Sequence, residues 1–102
     1  MGILSNVLGL GGGSAAKELI GKGAVIIDVR TPGEFQGGHV AGSKNIPLQE
    51  IQKREKEIMK LNKPVVFCCA SGGRSGQATR YFKNKGLECA NGGGWTQVNG
   101  LV

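Results

Sequence analysis

The chain has 102 residues, 39% of them hydrophobic and 20% charged, which is enough for one domain with one modest core. Its formal net charge is +6, but the positive residues are spread along the whole length, and the aromatics amount to one Trp, one Tyr and three Phe. Basic residues without interleaved aromatics do not make a nucleic-acid surface, so no nucleic acid is expected, and the positive field suits small anions instead.

Three cysteines cannot all pair, two of them are adjacent, and only one histidine is present. No metal-binding spacing emerges from such a set, and neither a metal nor a cofactor is expected. Free thiols suit a reducing compartment, which makes the expected location cytoplasmic. No stretch approaches the roughly 20 apolar residues of a membrane span, so no membrane partner is expected. The mildly apolar Ile3-Leu4-Ser5-Asn6-Val7-Leu8 lacks the basic leader of a signal peptide. Met1-Gly2 resembles the start of a myristoylation signal, but Asn6 stands where Ser or Thr is needed.

Residues 1–13 read as a flexible lead-in ending in a glycine cluster, and residues 14–102 as the domain. A helix is expected from an N-cap at Ser14 through Ile20, stopped by Gly21-Lys22-Gly23. Ala24-Val25-Ile26-Ile27-Asp28-Val29 is a nearly unbroken β-branched run, the mark of a strand covered on both faces. Arg30-Thr31-Pro32-Gly33-Glu34-Phe35 reads as a tight bend, with Glu34 as its anchor. A loop follows with a short extended piece at Asn45-Ile46, and residues 49–61 read as one charged helix with a thin apolar stripe.

A second buried strand, Val65-Val66-Phe67-Cys68, leads into a loop of small residues and then a helix over residues 75–83 that buries Ala78, Tyr81 and Phe82. Gly86 ends it, Leu87-Glu88-Cys89-Ala90 forms a third strand, and residues 91–95 turn away. Alternating strands and helices give an α/β class: a small parallel sheet with helices on both faces. Ligands of such sheets sit at the carboxyl ends of the strands, which puts Cys69, Arg30 and the turn at residues 92–94 on one edge.

Strand, tight loop and helix together converge several backbone N–H groups on one point, reinforced by the helix dipole. A cysteine at the start of that loop faces an electropositive cup, which lowers its pKa below the ~8.5 of a free thiol. Two cysteines compete for the place. Counted from Cys68 to Arg74 the spacing is C-x₅-R, as in cysteine phosphatases and arsenate reductases; counted from Cys69 it is C-x₄-R. Cys69 is favoured, because Cys68 completes the strand and no H-C pair or acid aspartate accompanies it. Cys68 and Cys89 then read as small buried hydrophobes. His39 is expected to make a structural hydrogen bond, Asp28 to accept from backbone or arginine, and Trp95 to lie as a lid on the core.

The motifs resemble those of the single-domain rhodaneses, the sulfurtransferase family. Asp28-Val29-Arg30-Thr31-Pro32-Gly33-Glu34-Phe35 with Gly38-His39-Val40-Ala41-Gly42-Ser43-Lys44-Asn45-Ile46-Pro47 is similar to the family signature D-V-R-x-x-x-E-(F/Y)-x-x-G-H-I-x-G-A-x-N-I-P. Cys69-Ala70-Ser71-Gly72-Gly73-Arg74-Ser75 is similar to its active loop C-x-x-G-x-R-S, and residues 92–95 to its closing GG…W turn. Ser43 replaces a usual alanine, and the glycine cluster at 9–13 stands where the family has an edge strand.

The resemblance implies a rhodanese-like fold and covalent transfer through a persulfide on Cys69. The sulfur would come from thiosulfate or a similar small anionic donor, and would pass to cyanide or a thiol, possibly on a protein. The N–H groups of Ala70, Ser71, Gly72, Gly73, Arg74 and Ser75 would hold donor and persulfide, with the Arg74 guanidinium and Arg30 on the donor oxygens. Ser75 serves equally as helix N-cap or ligand. A monomer is expected. A persulfide-carrying relay or regulatory module with little free turnover is the alternative function, and a phosphatase or arsenate reductase using Cys68 a further one.

Overall fold

A computed structural model describes residues 13–102; the lead-in expected over residues 1–13 lies, apart from Gly13, outside the described residues. The order of elements is α1 (Gly13–Gly21), β1 (Val25–Asp28), α2 (Pro32–Gln36), β2 (Lys44–Asn45), a 3₁₀ turn (Leu48–Glu50), α3 (Glu55–Met59), β3 (Val65–Cys69), α4 (Gly73–Lys83), β4 (Cys89–Gly94) and α5 (Trp95–Asn99). The four strands form one parallel sheet in the order β2-β1-β3-β4. Helices cover both faces, as parallel pairing requires.

Because strand side chains alternate, the sheet divides the core in two. Ile27, Val65, Phe67 and Cys69 face one side, where Ile51, Ile58, Ala78 and Phe82 pack from the 3₁₀ turn region, α3 and α4. Ile26, Val66 and Cys68 face the other, packed by Ala16 and Leu19 of α1 and Val98 of α5. Adjacent cysteines therefore point to opposite layers.

Three local expectations need correction. The first helix begins at Gly13, so Ser14 lies inside it rather than capping it. The bend after β1 is the helix α2: Thr31 Oγ1 accepts from Glu34 N, Glu34 reaches back to Thr31 N, and Pro32 stands at the first turn, a capping box. The single helix over residues 49–61 is broken. Arg54 leaves helical geometry at φ −105°, ψ 18° before α3 begins, and its side chain bridges the gap to Glu50 and Glu57.

β4 also runs longer than expected, and its pairing slips. Phe67 pairs with Asn91 but Cys68 with Gly93, so Gly92 is an extra residue in the ladder. Only glycine fits there: a Cβ would stand 2.5 Å from Val98 Cγ2 and 2.8 Å from Val66 Cγ1. Gly93 follows at φ +82°. The glycine triplet is thus a bulge that turns β4 beside the loop after β3.

Candidate active site

Cys69 is the last residue of β3, and the chain then curls back over its sulfur before entering α4. Gly72 makes the curl possible at φ +109°, a left-handed conformation open to glycine. Gly72, not Ser75, caps α4, and Ser75 is the third helical residue. Gly72 N–H donates to Cys69 Sγ at 3.0 Å and Ser75 N–H at 3.4 Å, with Ser75 Oγ at 3.3 Å. Ala70, Ser71 and Gly73 form the exposed rim.

The sulfur does not stand at the mouth of this ring facing solvent, as a cup opened by the loop would have it. Cys69 is 1% exposed and lies on the floor. Burial by itself raises its pKa, but the Ser75 hydroxyl and the N–H groups of Ser75, Gly72 and Ser71 outweigh that and bring it below the ordinary thiol value. Cys68 has no such donors. Burial pushes its thiol up to about 12, with Asp28 adding to the rise, and burial raises Cys89 to about 11. Cys68 points away from the loop into the α1–α5 layer, which removes the geometry needed for phosphatase or arsenate reductase chemistry at that residue.

The two arginines are placed differently from expectation. Arg30 does not reach the cup. Its Nε and Nη2 donate to the Asp28 carboxylate at 2.9 and 2.7 Å, and its Nη groups also donate to the carbonyls of Glu34 and Gly38. The Trp95 ring lies 5.1 Å from the guanidinium carbon. Both charges of this pair are buried, and Arg30 is a strut that holds α2 and the Gly38 loop against the sheet. Arg74 stays at the rim but is paired with Glu34 by two parallel contacts of 2.8 and 3.1 Å. Hydrogen bonds from Arg74 and Thr31 hold the Glu34 carboxyl down at about 2.

Asp28, Glu34 and His39 make structural contacts as their positions suggested. His39 Nδ1 donates to Phe35 O at 2.7 Å, and its ring stacks on Phe35. Trp95 packs half-buried on the α1–α5 layer, with Gly38 beneath it. Among the described residues no group of three His, Cys, Asp or Glu is placed to hold a metal ion. No described helix is long and apolar enough to cross a membrane. A groove of about 530 Å³ flanks α4 between Leu48, Gln52, Gln77 and Tyr81, and it includes none of the loop residues. The groove is thus separate from the loop that encloses Cys69.

One residue at the cup has no role legible in the sequence. Asn91 of β4 accepts from Ser75 Oγ at 2.7 Å and from Gly93 N–H at 2.9 Å, and donates to Gly72 O at 3.0 Å. In the sequence it is only the first residue of an Asn-Gly-Gly-Gly turn, and the bulge at Gly92 is what aims it at the loop.

Residues 13–100 match the family model described as Rhodanese-like domain. The chain belongs to that family. The parallel sheet with helices on both faces is its fold, and the rhodanese-related protein of Thermoplasma volcanium superposes with a TM-score of 0.70 at 32% identity, over 82% of this chain and 85% of that one. The protein YqhL of Bacillus subtilis (strain 168) is 44% identical over 63 residues, 62% of this chain, and this rhodanese-like domain spans about half of it, 49%. The thiosulfate sulfurtransferase PspE of Escherichia coli (strain K12) is 39% identical over 74 residues, 71% of each chain.

Proposed function

We propose that this rhodanese-like domain is a sulfurtransferase that carries sulfane sulfur as a persulfide on Cys69. The observation that carries the reading is the ring of donors closed on a single sulfur: Gly72 N–H at 3.0 Å, Ser75 N–H at 3.4 Å and a thiol whose pKa they lower. Such a ring stabilises one negative sulfur before and after it accepts another.

In the first half-reaction the Cys69 thiolate attacks the outer sulfur of thiosulfate or a similar small anionic donor. An S–S bond forms, the donor's S–S bond breaks, and its electron pair leaves with sulfite. In the second, cyanide or a thiol attacks the outer persulfide sulfur and returns the Cys69 thiolate. No cofactor enters either step. The exposed residues Ala70, Ser71 and Gly73 form the way in, and the Arg74 guanidinium reaches donor oxygens by giving up part of its bond to Glu34.

That bond favours a second reading beside the first: relay to a protein thiol, with slow turnover on free thiosulfate. An arginine already neutralised by Glu34 attracts a dianion less than a free one does. Thiocyanate release from thiosulfate and cyanide tests the first reading. Rapid release that vanishes in Cys69→Ser and survives in Cys68→Ser supports free turnover, slow release with a stable persulfide supports the relay, and neither persulfide nor thiocyanate overturns both. A cytoplasmic location and a monomer fit the three free thiols and the small domain.

A further inference from the structure

Ser75 holds a single hydroxyl hydrogen between two acceptors. Its Oγ is 2.7 Å from Asn91 Oδ1 and 3.3 Å from Cys69 Sγ. The orientation of the Asn91 amide is fixed by neighbours that have one role each. The Gly93 N–H can only donate, so Oδ1 faces it at 2.9 Å; the Gly72 carbonyl can only accept, so Nδ2 faces it at 3.0 Å. Oδ1 is therefore an acceptor toward Ser75, and in this arrangement the hydroxyl hydrogen points at Asn91. The neutral thiol can then give its own hydrogen to Ser75 Oγ.

A glycine makes room for the amide: a Cβ at Gly76 would stand 3.2 Å from Asn91 Nδ2, tighter than an ordinary contact. Gly76 lies within α4, where glycine is less favourable to a helix than alanine. The helix carries that cost at the position that lets Asn91 lie against it.

We infer that Asn91 is a positioning residue for the Cys69 sulfur. Its amide braces the Gly72 carbonyl and accepts from Ser75, and it keeps the Ser75 hydroxyl hydrogen in reserve while the sulfur is neutral. When the sulfur loses its proton to solvent, or carries a second sulfur and a negative charge, the hydroxyl turns from Asn91 to the sulfur. One hydrogen bond breaks and another forms, with no covalent change. The lowered thiol value of Cys69 accords with a Ser75 hydrogen bond that the charged sulfur can claim.

The inference rests on the persulfide reading for its purpose but not for its test. The charged groups around the sulfur are the Arg74–Glu34 pair at the rim and the Asp28–Arg30 pair across β1, with Cys68 beside it in β3; an Asn91 variant alters none of them. In the full chain the ultraviolet absorbance of the thiolate is titrated for wild type and Asn91→Ala; Cys68 and Cys89, at about 12 and 11, stay silent in the neutral range. Without the amide the neutral state loses its acceptor for the Ser75 hydroxyl, so the Asn91→Ala midpoint is expected about one pH unit lower, a tenfold gain in thiolate below it. A merely structural role lowers the melting temperature and leaves the midpoint in place, and an unmoved midpoint in a folded variant overturns the inference.

A second measurement needs no variant. In ¹⁵N-labelled wild type the Asn91 side-chain amide signal is expected to shift with the midpoint of Cys69, and a flat signal overturns the inference even if Asn91→Ala fails to fold. The two ideas fail separately. A protein that takes up no sulfur but shows the shifted midpoint loses only the proposed function; one that forms the persulfide with an unmoved midpoint loses only the role of Asn91.

Discussion

Neighbouring thiols on β3 differ because their surroundings do. Cys69 meets N–H donors and a hydroxyl, while Cys68, one residue earlier on the other face, lies among apolar side chains with the Asp28–Arg30 pair nearby and, among the described residues, no hydrogen-bond donor. Iodoacetamide near neutral pH is accordingly expected to label Cys69 and spare Cys68 and Cys89 in the folded protein. The rate should rise with pH through a midpoint below that of a free thiol, since the reactive form is the thiolate. Peptide mapping of the alkylated protein checks this, and labelling of Cys68 ahead of Cys69 would contradict it. At this scale the sequence pointed to Cys69 as the cysteine on the loop side of β3, because strand alternation and loop composition are local. The pairings were only partly legible: a backbone or arginine donor on Asp28 was expected, but that it is Arg30 and that Arg74 takes Glu34 is decided by where α2 lands, since a buried arginine and a rim arginine look alike in a string.

Two elements hold the loop in place, and each can be loosened separately. β4 supports it from one side through the bulge at Gly92. Gly92→Ala would push a methyl into Val98 and Val66 and is expected to destabilise the fold by about 1–3 kcal/mol in denaturant unfolding; an unchanged midpoint would mean the bulge is not tight. α2 supports the loop from the other side through Glu34 and Arg74. In the folded protein Glu34 titrates at about 2, below its ordinary value of 4.5. Its stabilising contribution is therefore complete above about pH 4.5 and fades as pH falls toward 2. Glu34→Gln keeps the helix cap and loses the charge, so the melting-temperature gap between wild type and variant should be present at about pH 6 and should close at the acid end. A gap independent of pH would contradict the assignment. α2 itself carried a readable capping signal in Thr31-Pro32-Gly33-Glu34, overridden by the turn character of Pro-Gly. The break at Arg54 had none, because Leu48, Ile51 and Ile58 keep helical spacing across it.

For the molecule as a whole, the parallel sheet and its two layers followed from strand runs covered on both faces, and three motifs in order pointed to the family. What could not be read was the depth of the site. A loop of small residues suggests an open cup, yet the same small residues let the chain close over Cys69 until 1% of it is exposed. A donor must therefore approach through the rim of Ala70, Ser71 and Gly73, and the net charge of +6 favours anions there. The claim on which the rest depends is that this enclosed sulfur accepts another. Intact mass after incubation of the reduced protein with thiosulfate alone measures it most directly. The account predicts a gain of about 32 Da, one sulfur held as a persulfide, in wild type and Cys68→Ser and none in Cys69→Ser. No gain in wild type, or a gain that survives Cys69→Ser, would contradict it.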